Sequence, residues 1–378
     1  MSKRILSVGI DANEANLLSN RVGSNQAVFG LLKGLYKINS PCKFNVYLSA
    51  PPVADMPEER KNWKYRVIPP PKLWTQWRLP LDLYLNKEKS DVFLSPSHYI
   101  PRYSPAPVVV IIADLGYLKF PQYYKRKDYL QLKNWTEYSI KKATHIIAVS
   151  QTTKNDLIEF YKISPDRVSV VYHGYDKDVY HQINNKPETD RILKKYGIDS
   201  PFILFLGSLR PTKNVERLIE AFNILKDKNI KLVLAGKKGW MYESIFEKVG
   251  KLGLEKRVIF TDYVLGEDLP FLLSSAKVFA LPSLYEGFGI PVIEAMACGI
   301  PTIVSNAGSL PEISGGASVI VDPLDIENIS DGLEIAIKKS GLYIKLGFER
   351  VKDFNWQKSA KNVVDILEMK TFSLRSFV

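Results

Sequence analysis

Two glutamates, Glu286 and Glu294, bracket a turn rich in glycine: Ser283-Leu284-Tyr285-Glu286-Gly287-Phe288-Gly289-Ile290-Pro291-Val292-Ile293-Glu294. An apolar run ends at Pro282, and Pro291 suits the first position of a new helix. Gly287 and Gly289 let the backbone come close to a ligand, and the helix start offers unpaired N–H groups to an anion. About one turn into that helix, Glu294 would face the same space as Glu286 at a different depth. Taken singly, Glu294 would merely complement the helix dipole and Glu286 would be solvated. Together with the glycines and proline they point to a binding turn.

A second stretch reads Phe202-Ile203-Leu204-Phe205-Leu206-Gly207-Ser208-Leu209-Arg210-Pro211-Thr212-Lys213-Asn214. Gly207 closes a strand-like run, and Thr212 is placed to cap the next helix. Arg210 and Lys213 at a helix start oppose its dipole, which makes sense if an anion lies between them. A diphosphate is the natural candidate; a surface turn with incidental charges is the plainer alternative. In the first half, residues 20–25 form a loop with one glycine, Gly23, and lack G-x-G-x-x-G, which argues against a nicotinamide dinucleotide. Of four histidines, His98 and His173 follow strand-like runs and are cleft candidates, whereas His145 opens a strand and reads as structural. No H-E-x-x-H, EF-hand, P-loop or G-x-S-x-G occurs, so metal, NTPase and serine-hydrolase chemistry have no signature. Two cysteines, Cys42 and Cys298, exclude a disulfide framework or a cysteine zinc site.

The elements that must hold these residues alternate along the chain. Strand candidates in the first half are 4–11, 44–50, 91–97, 108–115, 145–150 and 168–174. Those of the second are 202–207, 231–236, 258–263, 278–282, 302–305 and 318–321. They are continuous and β-branched, as in parallel sheets covered on both faces, with helical patterns such as 25–38, 124–142, 214–226, 291–298 and 326–339 between them. Two doubly wound α/β domains follow, joined by the polar stretch 181–200. In such sheets ligands bind beyond the carboxyl ends of the strands, and two such domains would face each other across a cleft.

With 378 residues, two domains are the natural count, three conceivable. The start, 1–5, lacks the apolar segment of a signal peptide, and no run reaches the roughly 18 apolar residues of a membrane span. A cytoplasmic protein, soluble or peripheral on the inner face of the membrane, is expected. The net charge of +12 is uneven. Residues 1–185 hold 26 Lys and Arg against 16 Asp and Glu, residues 186–378 hold 26 against 24. The first half should meet something anionic, or else present a solvated basic face.

The chain resembles the retaining GT-B glycosyltransferases of family 4, also called group 1, over nearly its whole length. Glu286 to Glu294 matches the family's E-G-F-G-x-P-x-x-E motif, and Gly207…Arg210…Lys213, Val149-Ser150-Gln151-Thr152-Thr153-Lys154, His173-Gly174-Tyr175-Asp176 and Phe354-Asn355-Trp356 are also similar. The resemblance implies two Rossmann-like domains, 1–183 for the acceptor and 184–356 for the donor, with a last helix at about 357–378 returning to the first. It implies that Arg210 and Lys213 bind the donor diphosphate with Gly23 beneath it, and that Gly207 is also donor-binding. Glu294 would hold the ribose, and Glu286 would contact the hexose with backbone from Phe288, Gly289 and Ile290. Transfer would run from a GDP-mannose or UDP-hexose donor to a glycan or lipid-linked acceptor with retention, in cell-surface polysaccharide or glycolipid synthesis, without metal or cofactor.

Two departures stand out. Ala113-Asp114-Leu115 replaces the family's His-Asp-Leu, leaving Asp114 without its usual neighbour and His98 as a substitute. His173 stands where an Asn is usual. Ala113 keeps open a non-catalytic partner subunit, and the shared two-domain plan keeps open a sugar-nucleotide epimerase. In the basic first half, Lys119, Lys125, Arg126, Lys127, Lys133, Lys141 and Lys142 interleave with Tyr117, Phe120, Tyr123, Tyr124, Tyr129 and Trp135. Segment 117–142 thereby suits an anionic membrane surface; no nucleic-acid module accompanies it.

Overall fold

Strands buried on both faces need helices on both faces, and the computed structural model shows that arrangement twice. It describes residues 5–18, 21 and 23–375, with side chains through 371. Position 4 of the first expected strand, positions 20 and 22 of the Gly23 loop, residues 1–4 of the chain start and the helix end at 376–378 lie outside the described residues.

The first unit has seven parallel strands: β1 (Ser7–Asp11), β2 (Lys43–Leu48), β3 (Trp63–Val67), β4 (Val92–Ser95), β5 (Val108–Ile112), β6 (His145–Ala148) and β7 (Val168–Val170). Their order is β3-β2-β1-β4-β5-β6-β7. The central β4 and β5 are buried at every residue, which is why their sequences read as unbroken apolar runs. β3 was not among the expected strands. Its Trp63-Lys64-Tyr65-Arg66-Val67 alternates because it is an edge strand with only Trp63 buried.

The second unit has six: β8 (Phe202–Leu206), β9 (Lys231–Ala235), β10 (Val258–Asp262), β11 (Val278–Leu281), β12 (Thr302–Ser305) and β13 (Val319–Val321). All are parallel, ordered β10-β9-β8-β11-β12-β13. Each sheet reverses its strand order once, between β1 and β4 and between β8 and β11. Those switch points open a crevice at the carboxyl edge.

The compact units are Met1–Gly174 with Asn355–Val378, and Tyr175–Phe354, so the chain passes between them ahead of the expected boundary after 183. The stretch 181–200 is not an extended linker. Residues Lys186–Lys195 form a helix whose cap, Asn185, accepts a bond from the Glu188 N–H at 3.3 Å. It looked like a linker because Ile192 is the one residue that helix buries.

Helix Trp356–Arg375 lies in the first unit, against helix Ser24–Lys37. Small residues make this possible. A Cβ on Gly30 would fall 2.3 Å from the Trp356 indole, and one on Gly34 2.5 Å from the Trp356 carbonyl oxygen. A Cβ on Gly174 would fall 2.2 Å from the Trp356 nitrogen, a backbone atom that cannot swing aside. Gly174→Ala should therefore cost about 1–3 kcal/mol of stability, the usual cost of overpacking. Thermal unfolding and proteolytic release of the last helix would both move to lower temperature; a wild-type profile would show the contact to be slack.

The aromatic residues of segment 117–142 are used mostly inside this unit. Tyr117 is buried with its hydroxyl 2.9 Å from that of Tyr161, and Tyr124 and Tyr129 pack against the core. The lysines of helix Arg126–Lys142 are exposed, and of those aromatics only Trp135 is counted exposed beside them. Their spacing follows the core-facing side of the helix. Among the described residues no helix is long and apolar enough to cross a membrane.

Candidate active site

The second unit's switch point brings two of the residues singled out in its sequence, Lys213 and Glu286, into contact. Lys213 ends the short turn Pro211–Lys213 after β8, and Glu286 lies on the loop after β11. Their side chains pair, Lys213 Nζ to Glu286 Oε1, at 2.5 Å, only 12% and 13% exposed. Ser283 Oγ donates to the same oxygen at 2.7 Å. The loop is braced from behind: Ser309 Oγ donates to the carbonyls of Glu286 and Phe288, at 3.1 and 2.9 Å. Gly308 (φ +61°) allows this, because a Cβ there would meet the Glu286 carbonyl oxygen at 2.6 Å.

Helix Ile290–Ala297 begins at Gly289 in the left-handed region (φ +100°), with Pro in its first turn and no side chain capping it. Phe288 is buried, its ring edge-on to Phe354 at 5.8 Å. Arg210 spreads over Trp240, 5.0 Å from guanidinium to ring, and its buried Nε has no hydrogen-bond partner. Thr212 does not cap helix Val215–Ile224. Its hydroxyl is also buried without a partner, while Asn214 occupies the cap position in the left-handed region and donates instead to the carbonyls of Pro282 (3.0 Å) and Pro323 (2.6 Å). Asn214 thus ties the loop after β8 to the loop after β11. Beside Gly207, Gly236 (φ +145°) admits the Gly207 carbonyl at 2.0 Å from where its Cβ would be.

Lys213, the unused donors of Arg210 and Thr212 and a helix start without a side-chain cap all lie on the loops after β8 and β11, and they are the kinds of group a diphosphate binds. The Gly236-Lys237-Lys238-Gly239 loop, which bonds to Leu209 through Lys237 O at 2.8 Å, was missed in the sequence. Its signal was a pair of glycines after an apolar strand.

Glu294 sits inside the first turns of that helix, 6% exposed. Burial pushes its carboxyl up to about 8, and the hydroxyl of Tyr180, which donates to it, pulls back only part of the way. Further hydrogen bonds donated to this carboxyl would favour its anion.

In the first unit, His98 follows β4 and accepts the Ala113 N–H on Nε2 at 3.3 Å. An imidazole therefore stands beside the position where the family His is missing. With Nε2 accepting, the proton belongs on Nδ1, which is buried without a partner. Burial lowers the pKa of His98, with Asp114 opposing, so the ring is held neutral. Asp114 Oδ1 accepts the Gly116 N–H at 2.9 Å.

Asp11, at the end of β1, was not singled out in the sequence. Burial lifts its carboxyl to about 7, with bonds from Asn13 opposing and Glu14 adding to the rise. Its signal was a single acid closing an apolar strand. Gly23 starts helix Ser24–Lys37 at φ +52°, with open space around it. His173 is pushed down to about 4 by burial, and its ring lies 5.3 Å from that of Trp356. His145 is buried, its ring 2.8 Å from Ser169 Oγ. Both cysteines are buried and free, and among the described residues no group of three or more His, Cys, Asp or Glu could hold a metal ion.

Two doubly wound parallel α/β units make up a GT-B-type architecture. Family comparison gives the same class: residues 40–179 match Glycosyltransferase Family 4 and residues 188–349 match Glycosyl transferases group 1. The two matches together take in most of the chain, and it belongs to this glycosyltransferase family. It is similar to O-antigen chain mannosyltransferase B of Escherichia coli, 26% identical over 292 residues, covering 75% of this chain and 76% of that protein. It is also similar to the serotype-specific mannosyltransferase WbdA of Escherichia coli, 32% identical over 255 residues. That match covers 64% of this chain but 31% of WbdA, so the chain spans under a third of that relative. In structure it resembles Anabaena HepE in complex with UDP-glucose, with a TM-score of 0.73 at 17% identity over 96% of this chain and all of that one.

Proposed function

We propose that the chain moves a hexose from a nucleoside-diphosphate sugar, of the GDP-mannose or UDP-hexose type, to a glycan or lipid-linked acceptor with retention of anomeric configuration. The observation that carries this is the Lys213–Glu286 pair with Ser283 at the β8/β11 switch point, beside the partnerless Arg210 Nε. A donor entering there separates the pair. Its diphosphate takes Lys213 and Arg210, and its hexose hydroxyls take Glu286. As the sugar–phosphate bond breaks, positive charge grows at the anomeric carbon and negative charge on the phosphate. Lys213, Arg210 and the start of helix Ile290–Ala297 are already fixed to receive the latter, a type of donor worth ~3–4 kcal/mol each. The acceptor oxygen bonds to the same face of the carbon, and its proton passes to the departing phosphate. The cations are the protein's own, so the scheme uses no metal.

The ribose would sit on Glu294. In the first unit His98, held neutral by burial, would serve in place of the missing His. The mannosyltransferase names of the relatives and the UDP-glucose complex of HepE support donor and acceptor of this kind. Incubating the purified chain with a panel of nucleotide sugars tests the reading. One donor should raise the melting temperature, since saturation near 100 times Kd adds about 2.7 kcal/mol. Nucleoside diphosphate should then be released only when a glycan or lipid-linked acceptor is added. Release without acceptor, or stabilisation by no donor, would overturn it.

A further inference from the structure

Just inside the start of the second unit, Tyr180 is buried at 6% exposure. A buried phenol needs a partner for its hydroxyl, and this one donates to the carboxyl of Glu294. The segment that carries it is braced on the second unit at several points. The Tyr180 N–H donates to the Asp176 carbonyl at 2.8 Å, closing a turn. Two residues on, Gln182 lies just past the end of helix Ile290–Ala297, its Cδ 3.5 Å from where a Cβ on Gly299 would fall. Ser274, in helix Leu269–Ser275, accepts the Ile183 N–H at 3.2 Å and donates to the His181 carbonyl at 3.4 Å. Tyr180 thus reaches Glu294 from outside the helix that bears it, on backbone held in place by its own bonds.

The other titratable groups around Glu294 leave this contact as the one that acts on it. One turn along the same helix, burial pushes the Cys298 thiol up to about 12, so it stays neutral. Tyr180 itself, raised well above its ordinary value chiefly by burial, with Glu294 and Asp176 adding to the rise, keeps its proton. His181 is exposed and meets the cluster through its carbonyl. β11 and β12 contain no titratable residue. Helix Ser340–Arg350 approaches through Gly347, where a Cβ would fall 3.2 Å from Met296 Cγ. Its Lys345 and Glu349 are exposed, and its Arg350 donates to the carbonyls of Glu312 and Ile313. Burial therefore drives the Glu294 carboxyl towards its neutral form, and one hydroxyl opposes. That hydroxyl counts for more on the anion than on the acid, because a hydrogen bond to a charged group is the stronger.

We propose that Tyr180 is a positioning residue whose hydroxyl holds the Glu294 carboxylate as the acceptor for the ribose hydroxyls of the nucleoside diphosphate. This rests on the reading of Glu294 as the ribose site, and the test separates the two. Calorimetry follows GDP and UDP binding to the wild type, Tyr180→Phe and Glu294→Gln from about pH 6.5 to about 9.5, with circular dichroism as the check on folding. Wild-type affinity for the nucleotide that binds should climb as pH rises through about 8, because ribose donors prefer the anion. In Tyr180→Phe the climb should come at a pH higher by about 0.5–1, leaving binding at pH 7 roughly three- to tenfold weaker. Glu294→Gln should bind weakly and lack that climb. Ionisation of the diphosphate and of Lys213 is common to all three proteins and cancels in the comparison. A phenylalanine that merely loosened packing would weaken binding by one factor at every pH. That outcome, or a curve overlaying the wild type's, overturns the role of Tyr180 even where Glu294→Gln behaves as expected. If Glu294→Gln binds with the wild-type affinity and climb, or neither nucleotide binds the wild type, the ribose reading falls and the proposal falls with it.

Discussion

Lys213→Ala is expected to lower turnover by roughly two to three orders of magnitude while the far-ultraviolet circular dichroism stays that of the wild type, the loss seen when one fixed donor to a developing oxyanion is removed. Lys213 is only 12% exposed and is held at the switch point by Glu286 in the free protein, so a cation is on hand when the donor separates the pair. Glu286→Ala should have a comparable effect by a different route. The hexose loses its carboxylate, and Lys213 loses the partner that orients it. Because the two side chains share one ion pair, the double variant should lose much less than the product of the single losses. Acceptor-dependent release of nucleoside diphosphate measures all three. Near wild-type transfer by either folded single variant would remove that residue from the mechanism.

The second large effect concerns Glu294. Its carboxyl, pushed up to about 8 by burial, is mostly protonated at pH 7 in the free protein. Ribose hydroxyls donating to it favour the anion, so nucleoside diphosphate binding at pH 7 should release a proton to the buffer. Calorimetry in two buffers of different ionisation heat would show this as a difference in apparent binding enthalpy. Glu294→Gln should abolish that difference and weaken binding about 10- to 100-fold, the value of hydrogen bonds to a charged group. Equal enthalpies in both buffers would show that the ribose does not meet this carboxylate. The same group sets a slope in stability. The folded protein keeps its proton up to about 8, whereas the ordinary value is 4.5, so this group's contribution is largest at low pH and is lost as pH rises across that interval. The glutamine variant should flatten that part of the curve.

Much of this was legible in the chain because buried parallel strands and their closing turns have plain signatures. β8 and β11 read as apolar runs, and Gly207, Gly287 and Gly289 marked where they end. What escaped has physical reasons. Edge strand β3 is half exposed, so it lacked a continuous apolar run. Tyr117, Tyr124 and Tyr129 resembled an interfacial belt because aromatic residues suit a core and a membrane equally, and only packing separates the two. Asn214 took the place expected of Thr212 by adopting a left-handed conformation, which sequence periodicity does not register. The raised carboxyls of Asp11 and Glu294 come from burial by residues distant in sequence.

The last helix gives the protein an order of assembly. A ribosome delivers residues 1–174 first, yet that unit's grooves at Gly30, Gly34 and Gly174 are shaped around Trp356 and filled only after residue 355 has emerged. The unit spanning Tyr175–Phe354 is contiguous and has all its parts earlier. The half begun first is thus the half finished last. A nascent chain halted after 354 would carry a complete second unit and a first unit with an open seam, a form that chaperones and proteases would meet at every round of synthesis.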